Sequence, residues 1–163
     1  MTGLWDLPVI FIIENNRYAM GTAATRSTAN AEQLGARGAA FGIPFEQVDG
    51  MDVRAVKEAA DRAVEHCRAG EGPYILEMMT YRYRGHSMSD PAKYRTREEV
   101  QKMKDEKDAI EHVRDLLVGG NLATDDDLKA IDREIKVIVN DSAEFAKDSP
   151  EPALSELWTD IYA

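Results

Sequence analysis

Two polar clusters carry the residue types that do chemistry. The first is "ENNRY" at 14–18, directly after the apolar stretch "PVIFII". A hard divalent cation such as Mg²⁺ takes oxygen ligands in a tight octahedron and commonly bridges a protein to a diphosphate. An asparagine carboxamide and, two residues later, a main-chain carbonyl would supply ligands without adding negative charge that repels phosphate. Asparagine is equally a turn residue that tolerates unusual backbone angles, so spacing alone leaves both readings open. The second cluster is "RYRGHSMSD" at 82–90. Its His86 lies between Gly85 and Ser87, just after Arg82 and Arg84, where it would contact an anionic ligand or move a proton. An exposed loop histidine beside a basic patch is the plainer alternative. His66 and His112 fall on the polar sides of amphipathic helices and read as surface residues. Cys67 is the single cysteine, which excludes an intramolecular disulfide and a cysteine-based zinc cluster and reads as a small core residue.

The elements that would position these clusters follow from periodicity. "LPVIFIIENN" is continuously apolar rather than alternating, as in a parallel strand covered on both faces. "AEQLGARGAAFG" at 31–42 predicts a short helix ended by Gly42, and "IPFEQVDG" a second strand closed by an Asp-Gly turn. Asp52 caps a helix with apolar residues at three- and four-residue spacing through Cys67, and Gly70 and Gly72 follow it. "YILEMMTYR" at 74–82 is a third strand. Strand, helix, strand, helix, strand predicts an α/β fold with a parallel sheet flanked by helices. Beyond it lies the polar loop, then helices over "REEVQKMKD" and "DAIEHVRDLLVGG" and a long one begun by a Thr124–Asp127 capping box. That last helix carries an apolar stripe through Leu128, Ile131, Ile135, Ile138 and Phe145. Its acidic start, Asp125 to Asp127, complements the helix dipole and reads as a helix start, not a metal site.

Thirty acids against twenty bases give the 163 residues a net charge of −10. That field repels phosphate backbones and anionic membrane surfaces, so no nucleic acid and no membrane partner is expected. The longest apolar run, residues 9–13, is far shorter than the ~20 residues needed to cross a bilayer. A cytoplasmic protein is expected, or a mitochondrial matrix protein in a eukaryote. A three-stranded parallel sheet is too narrow to cover its own edges, and a missing upstream part is expected.

Together, "LWDLPVIFIIENNRYAMGT", "VDGMDV", "GPYILEMMTYRYRGHSMSDPAKYRTREEV" and "FAKDSPEPALSELWTDIYA" closely resemble the C-terminal half of the alpha subunits of the pyruvate dehydrogenase complex's first, decarboxylating component. The resemblance runs over essentially the whole chain. It implies a partial thiamine diphosphate-binding fold, with residues 1–95 as the C-terminal part of that α/β domain and 96–163 as a helical extension packed on it. It implies that Asn16 ligates Mg²⁺ through its side chain and Tyr18 through its main-chain carbonyl, so that Tyr18→Phe should harm cofactor binding much less than Asn16→Leu. His86 would contact the diphosphate, as the chain's catalytic and cofactor-binding residue, and Ser87 is a regulatory candidate. In that family the metal also takes an aspartate from a Gly-Asp-Gly sequence, which does not occur here. Lys93 stands where mammalian relatives carry another regulatory serine. The chain is therefore expected to be a truncated, inactive fragment.

For the intact protein the resemblance implies oxidative decarboxylation of pyruvate and transfer of the acetyl group to a lipoyl-bearing acyltransferase, with a beta subunit as obligate partner in a heterotetramer. Branched-chain 2-oxo acid and acetoin dehydrogenase alpha subunits are the alternatives within the enzyme class. A non-catalytic α/β subunit-association module is the alternative outside it.

Overall fold

Side-chain alternation on one strand organises the fold, seen here in a computed structural model that describes residues 1–161. β5 (Tyr74–Met79) lies between β1 (Ile10–Asn15) and β4 (Phe45–Asp49), parallel to both, in the order β1-β5-β4. Successive strand residues point to opposite faces. One face of β5 therefore presents Leu76 and Met78, which join Val48 and the helix residues Ala59 and Ala63 in the core. The other presents Ile75 and Glu77 to a 3₁₀ segment, Leu34–Phe41. The helix on the first face is α2 (Val53–Arg68), whose Ala59, Ala63 and Cys67 are buried. Asp52 caps it as expected, its Oδ1 accepting from the backbone N–H groups of Arg54 and Ala55.

The segment at 34–41 is tighter than the predicted helix because glycine lets its backbone close on the sheet. A Cβ on Gly35 would lie 2.8 Å from the Phe45 ring, and one on Gly38 would strike Ile75 and the Ile43 carbonyl. Close approach, rather than amphipathic burial, holds this segment. β1 also departs from expectation: it sits at an edge of the described sheet, with Ile12 66% exposed. A continuous apolar run signals cover on both sheet faces, but at the edge strand β1 the face that carries Ile12 is left open.

After Asn15 the chain turns into a small hairpin, β2 (Tyr18–Ala19) and β3 (Thr22–Ala23), followed by one helical turn, α1 (Ala24–Ser27). The polar loop runs from β5 to α3 (Arg97–Lys107), and α4 (Ala109–Gly119) follows. The chain divides into two compact units, residues 1–113 and 114–163. The second holds α5 (Asp125–Asp148), begun by the predicted Thr124–Asp127 capping box and steadied by an Arg114–Asp125 ion pair at 2.9 Å. The stripe at Ile131, Ile135, Ile138 and Phe145 is exposed. Among the described residues no helix is long and apolar enough to cross a membrane.

Candidate functional site

Both polar clusters lie past the carboxyl ends of the parallel strands β1 and β5, where ligands of open α/β sheets bind. Asn15, the last residue of β1, is buried, and its carbonyl accepts from the Thr80 N–H at 3.0 Å. Two overlapping side-chain turns follow. Asn15 Oδ1 accepts from Arg17 N at 3.0 Å, and Asn16 Oδ1 from Tyr18 N at 3.1 Å. They hold Arg17 at φ +67°, a left-handed conformation rare for a non-glycine residue and seen most often at sharp turns. The turn reading of the asparagines is thus correct, and it leaves the cation reading open.

Ala24 N donates to the Arg17 carbonyl at 2.8 Å, which makes Tyr18 and Ala23 the non-hydrogen-bonded pair of the hairpin. The Tyr18 carbonyl is consequently left out of the ladder. Asn16 Oδ1, with one lone pair engaged, and the Tyr18 carbonyl are two neutral oxygens from one turn, a donor type that suits a hard cation beside a diphosphate. These residues fit part of a Mg²⁺ shell. Among the described residues no group of three or more His, Cys, Asp and Glu side chains is placed to hold a metal. A cleft of about 250 Å³ lined by Arg17, Tyr18, Glu32 and Met79 opens beside the turn.

The loop cluster is wired to this hairpin. Arg82 Nη2 donates to the Met20 carbonyl and to the Tyr94 hydroxyl, both at 2.8 Å. Asp90 gathers the loop: its Oδ2 accepts from His86 N at 2.7 Å and from the Tyr94 hydroxyl at 2.9 Å, and its Oδ1 from Ala92 N at 2.8 Å. The His86 and Ala92 N–H groups, helped by Tyr94 and Arg82, hold the Asp90 carboxyl below the usual carboxylate range. Arg95, almost fully buried, donates to the Arg82 and Arg84 carbonyls. Its guanidinium carbon lies 5.1 Å from the Tyr81 ring centre and 5.7 Å from those of Tyr18 and Tyr94, within cation–π range.

Tyr18 therefore serves both clusters. Its ring packs 5.2 Å from that of Tyr94, and its hydroxyl donates to Glu99 Oε1 at 2.9 Å, as the Tyr81 hydroxyl does at 2.8 Å. Burial, reinforced by the Glu99 carboxylate, pushes the Tyr18 pKa up to about 12. Beyond its carbonyl, the Tyr18 ring and hydroxyl join the hairpin to the loop and to α3.

His86 itself is exposed. Its backbone is fixed by Asp90, while its imidazole makes no hydrogen bond or ion pair among the described residues. Ser87 is exposed and shares a 3.0 Å hydroxyl contact with Ser89. His112, also exposed, faces Asp52 at 3.7 Å. His66 is a correction: rather than lying on the surface it is largely buried, its Nδ1 2.9 Å from Glu71 and its ring 5.2 Å from Tyr74. The tyrosine that covers it lies on β5, which the helix periodicity around His66 does not register.

Sequence reasoning assigned no role to Glu77, Asp90, Arg95 or Glu99. For Glu77 a signal existed, since an acid flanked by Leu76 and Met78 inside an apolar strand must find donors when buried. Glu99 is the third residue of α3, where its spacing from the Thr96 cap marks a helix start but not its tyrosine partners. Asp90 and Arg95 carry no local signal, because polar residues in a polar loop look alike until their partners are known.

Residues 1–155 match the family described as "Dehydrogenase E1 component". The chain is 65% identical over 161 residues to a protein named "Pyruvate dehydrogenase E1 component subunit alpha" from Rhizobium meliloti (strain 1021), covering 99% of this chain and 46% of that protein. It is 52% identical to the protein of the same name from Zymomonas mobilis, covering 99% and 45%. To the mitochondrial protein named for that subunit in Sminthopsis macroura it is 49% identical, covering 100% and 44%. The chain spans about half the length of the curated relatives it matches. With a match over nearly its whole length, this chain belongs to the dehydrogenase E1 component family.

Proposed function

We propose that this chain forms the metal- and diphosphate-facing part of an alpha subunit that takes part in the oxidative decarboxylation of pyruvate, with transfer of the acetyl group to a lipoyl-bearing acyltransferase. The observation that carries the reading is the turn after β1, which leaves Asn16 Oδ1 and the Tyr18 carbonyl as neutral oxygens at a strand end. In this reading those two oxygens ligate Mg²⁺, and His86 contacts the diphosphate of thiamine diphosphate. Bound there, the cofactor supplies the electron sink for decarboxylation. The chain's own residues hold and orient: Asn15 and Asn16 fix the turn, Asp90 and Arg95 set the loop's backbone, and the free imidazole of His86 faces an anion as a donor.

Pyruvate as substrate is supported by the names of the relatives, and the same names support a partner beta subunit and membership of a multienzyme complex. Residues 1–95 would form part of the cofactor-binding domain and 96–163 its helical extension. A cytoplasmic or mitochondrial-matrix setting accords with relatives from bacteria and from mitochondria. The test is titration calorimetry of thiamine diphosphate with Mg²⁺ on an alpha chain of the relatives' full length assembled with its beta subunit. Asn16→Leu is expected to abolish Mg²⁺-dependent binding. Unchanged affinity would overturn the assignment.

A further inference from the structure

Glu77 lies in the middle of β5 with no exposed surface. A carboxylate buried in a sheet is costly unless its oxygens are satisfied. Here the donors are neutral: Oε1 accepts from Asn15 Nδ2 at 2.7 Å and Oε2 from Gly35 N at 3.0 Å. The residue ties the end of β1 to the 3₁₀ segment, and the same contact has a further effect on the turn beyond β1.

A carboxylate can only accept hydrogen bonds. Asn15 must therefore present its Nδ2 to Glu77, and a planar carboxamide so oriented points its Oδ1 the other way. That oxygen accepts from Arg17 N at 3.0 Å, closing the turn that holds Arg17 at φ +67°. The following turn, Asn16 Oδ1 to Tyr18 N, is offset from it by one residue and shares Asn16 and Arg17 with it. A longer 3.5 Å contact from Asn15 Nδ2 to the Ala31 carbonyl uses the other amide hydrogen, so both faces of the carboxamide are committed.

We infer that Glu77 is the positioning residue of the Asn16–Tyr18 cation clamp, acting through the orientation it imposes on the Asn15 carboxamide. The inference rests on the metal reading above for its purpose, although the relay from Glu77 to Arg17 can be measured without metal. If Glu77 served only to pin the 3₁₀ segment through Gly35, the turn would be indifferent to the polarity of the Glu77–Asn15 contact.

Exchanging that polarity is the test, read by amide hydrogen exchange at Arg17 and Tyr18 in the full chain. In Glu77→Gln one acceptor oxygen must serve two donors, and Arg17 exchange is expected to rise roughly tenfold, the loss of about one hydrogen bond. Asn15→Asp sets two carboxylates against each other, and a larger rise is expected. In the double variant the new amide donates to the new carboxylate, whose second oxygen accepts from Arg17 N, while the amide oxygen still accepts from Gly35. Exchange should then return to within about threefold of the unsubstituted chain, a coupling that independent sites would not show. An unchanged Arg17 rate in Glu77→Gln, or a double variant no better than Asn15→Asp, would overturn the inference. Should Asn15→Asp not fold, recovery of a folded chain by the double exchange supports the pairing, and failure to recover it refutes the pairing. Mn²⁺ titration with thiamine diphosphate on the unsubstituted alpha–beta assembly, followed by electron paramagnetic resonance, tests the metal reading separately. Absence of bound Mn²⁺ there counts against the proposed function, while the exchange pattern still decides whether Glu77 sets the turn.

Discussion

The Tyr18 hydroxyl donates a 2.9 Å hydrogen bond to Oε1 of Glu99, 81 residues further along the chain. One residue thus offers a backbone carbonyl at the end of β1 and a phenol to the start of α3, with its ring against Arg95 and Tyr94 between them. The hairpin and the His86 loop are parts of one packed arrangement.

Tyr18→Phe keeps the ring and the carbonyl but removes this bond. Thermal or denaturant unfolding should show a loss of about 0.5–1.5 kcal/mol, the usual worth of one hydrogen bond, with Tyr81 still donating to Glu99. Because the folded pKa is raised to about 12, the stability tied to the neutral phenol is complete below the ordinary tyrosine value and is lost as pH rises toward 12. Tyr74, Tyr81 and Tyr83 are also raised by burial, so tyrosinate absorbance should show one fewer late-titrating group in Tyr18→Phe. An unchanged number of late-titrating groups in the variant would show that Tyr18 is not among them.

Asp90→Ala removes the acceptor for the His86 and Ala92 N–H groups and for the Tyr94 hydroxyl. Cleavage within 82–96 by limited proteolysis should accelerate roughly tenfold or more as the loop opens locally. The carboxyl pKa is lowered, so the ordering is present above the usual carboxylate range and fails as pH falls through the folded value. Acid should therefore mimic the substitution, and equal proteolysis at neutral and acid pH would contradict this account of the loop.

His86→Ala should leave folding unchanged, since the imidazole has no intramolecular partner among the described residues. In an alpha–beta assembly of full length, loss of one charge-assisted hydrogen bond of ~1.5–3 kcal/mol should weaken cofactor binding or turnover by roughly ten- to a hundredfold. Ser87→Glu should also inactivate, by placing negative charge near the diphosphate, while Ser87→Ala is tolerated. Steady-state decarboxylation rates that stay normal in both His86→Ala and Ser87→Glu would move the loop away from the site.

Gly38→Ala tests the close approach of the 3₁₀ segment to the sheet. The new Cβ would strike the Ile75 side chain and lie 3.0 Å from the Ile43 carbonyl, which is backbone and cannot swing aside. A cost of about 1–3 kcal/mol is expected from overpacking. An unchanged unfolding midpoint would mean that the segment is free to retreat.

Features set by a few neighbouring residues could be read along the chain. The Asp52 cap of α2, the Thr124–Asp127 box, the strand at Ile10–Asn15 and the turn at Asn15 and Asn16 were all legible, because caps, turns and apolar runs are set by groups within a few positions of one another. It took the folded chain to bring Asn15 to Glu77, Tyr18 to Glu99 and Tyr74 over His66, and to set β1 at the sheet edge with Ile12 exposed. Periodicity tells which face a residue takes, but not which strand or loop stands opposite it. Those pairings are fixed by the order of parallel strands and by the close glycine-permitted approach of the segment at 34–41, both of which bring together residues far apart along the chain.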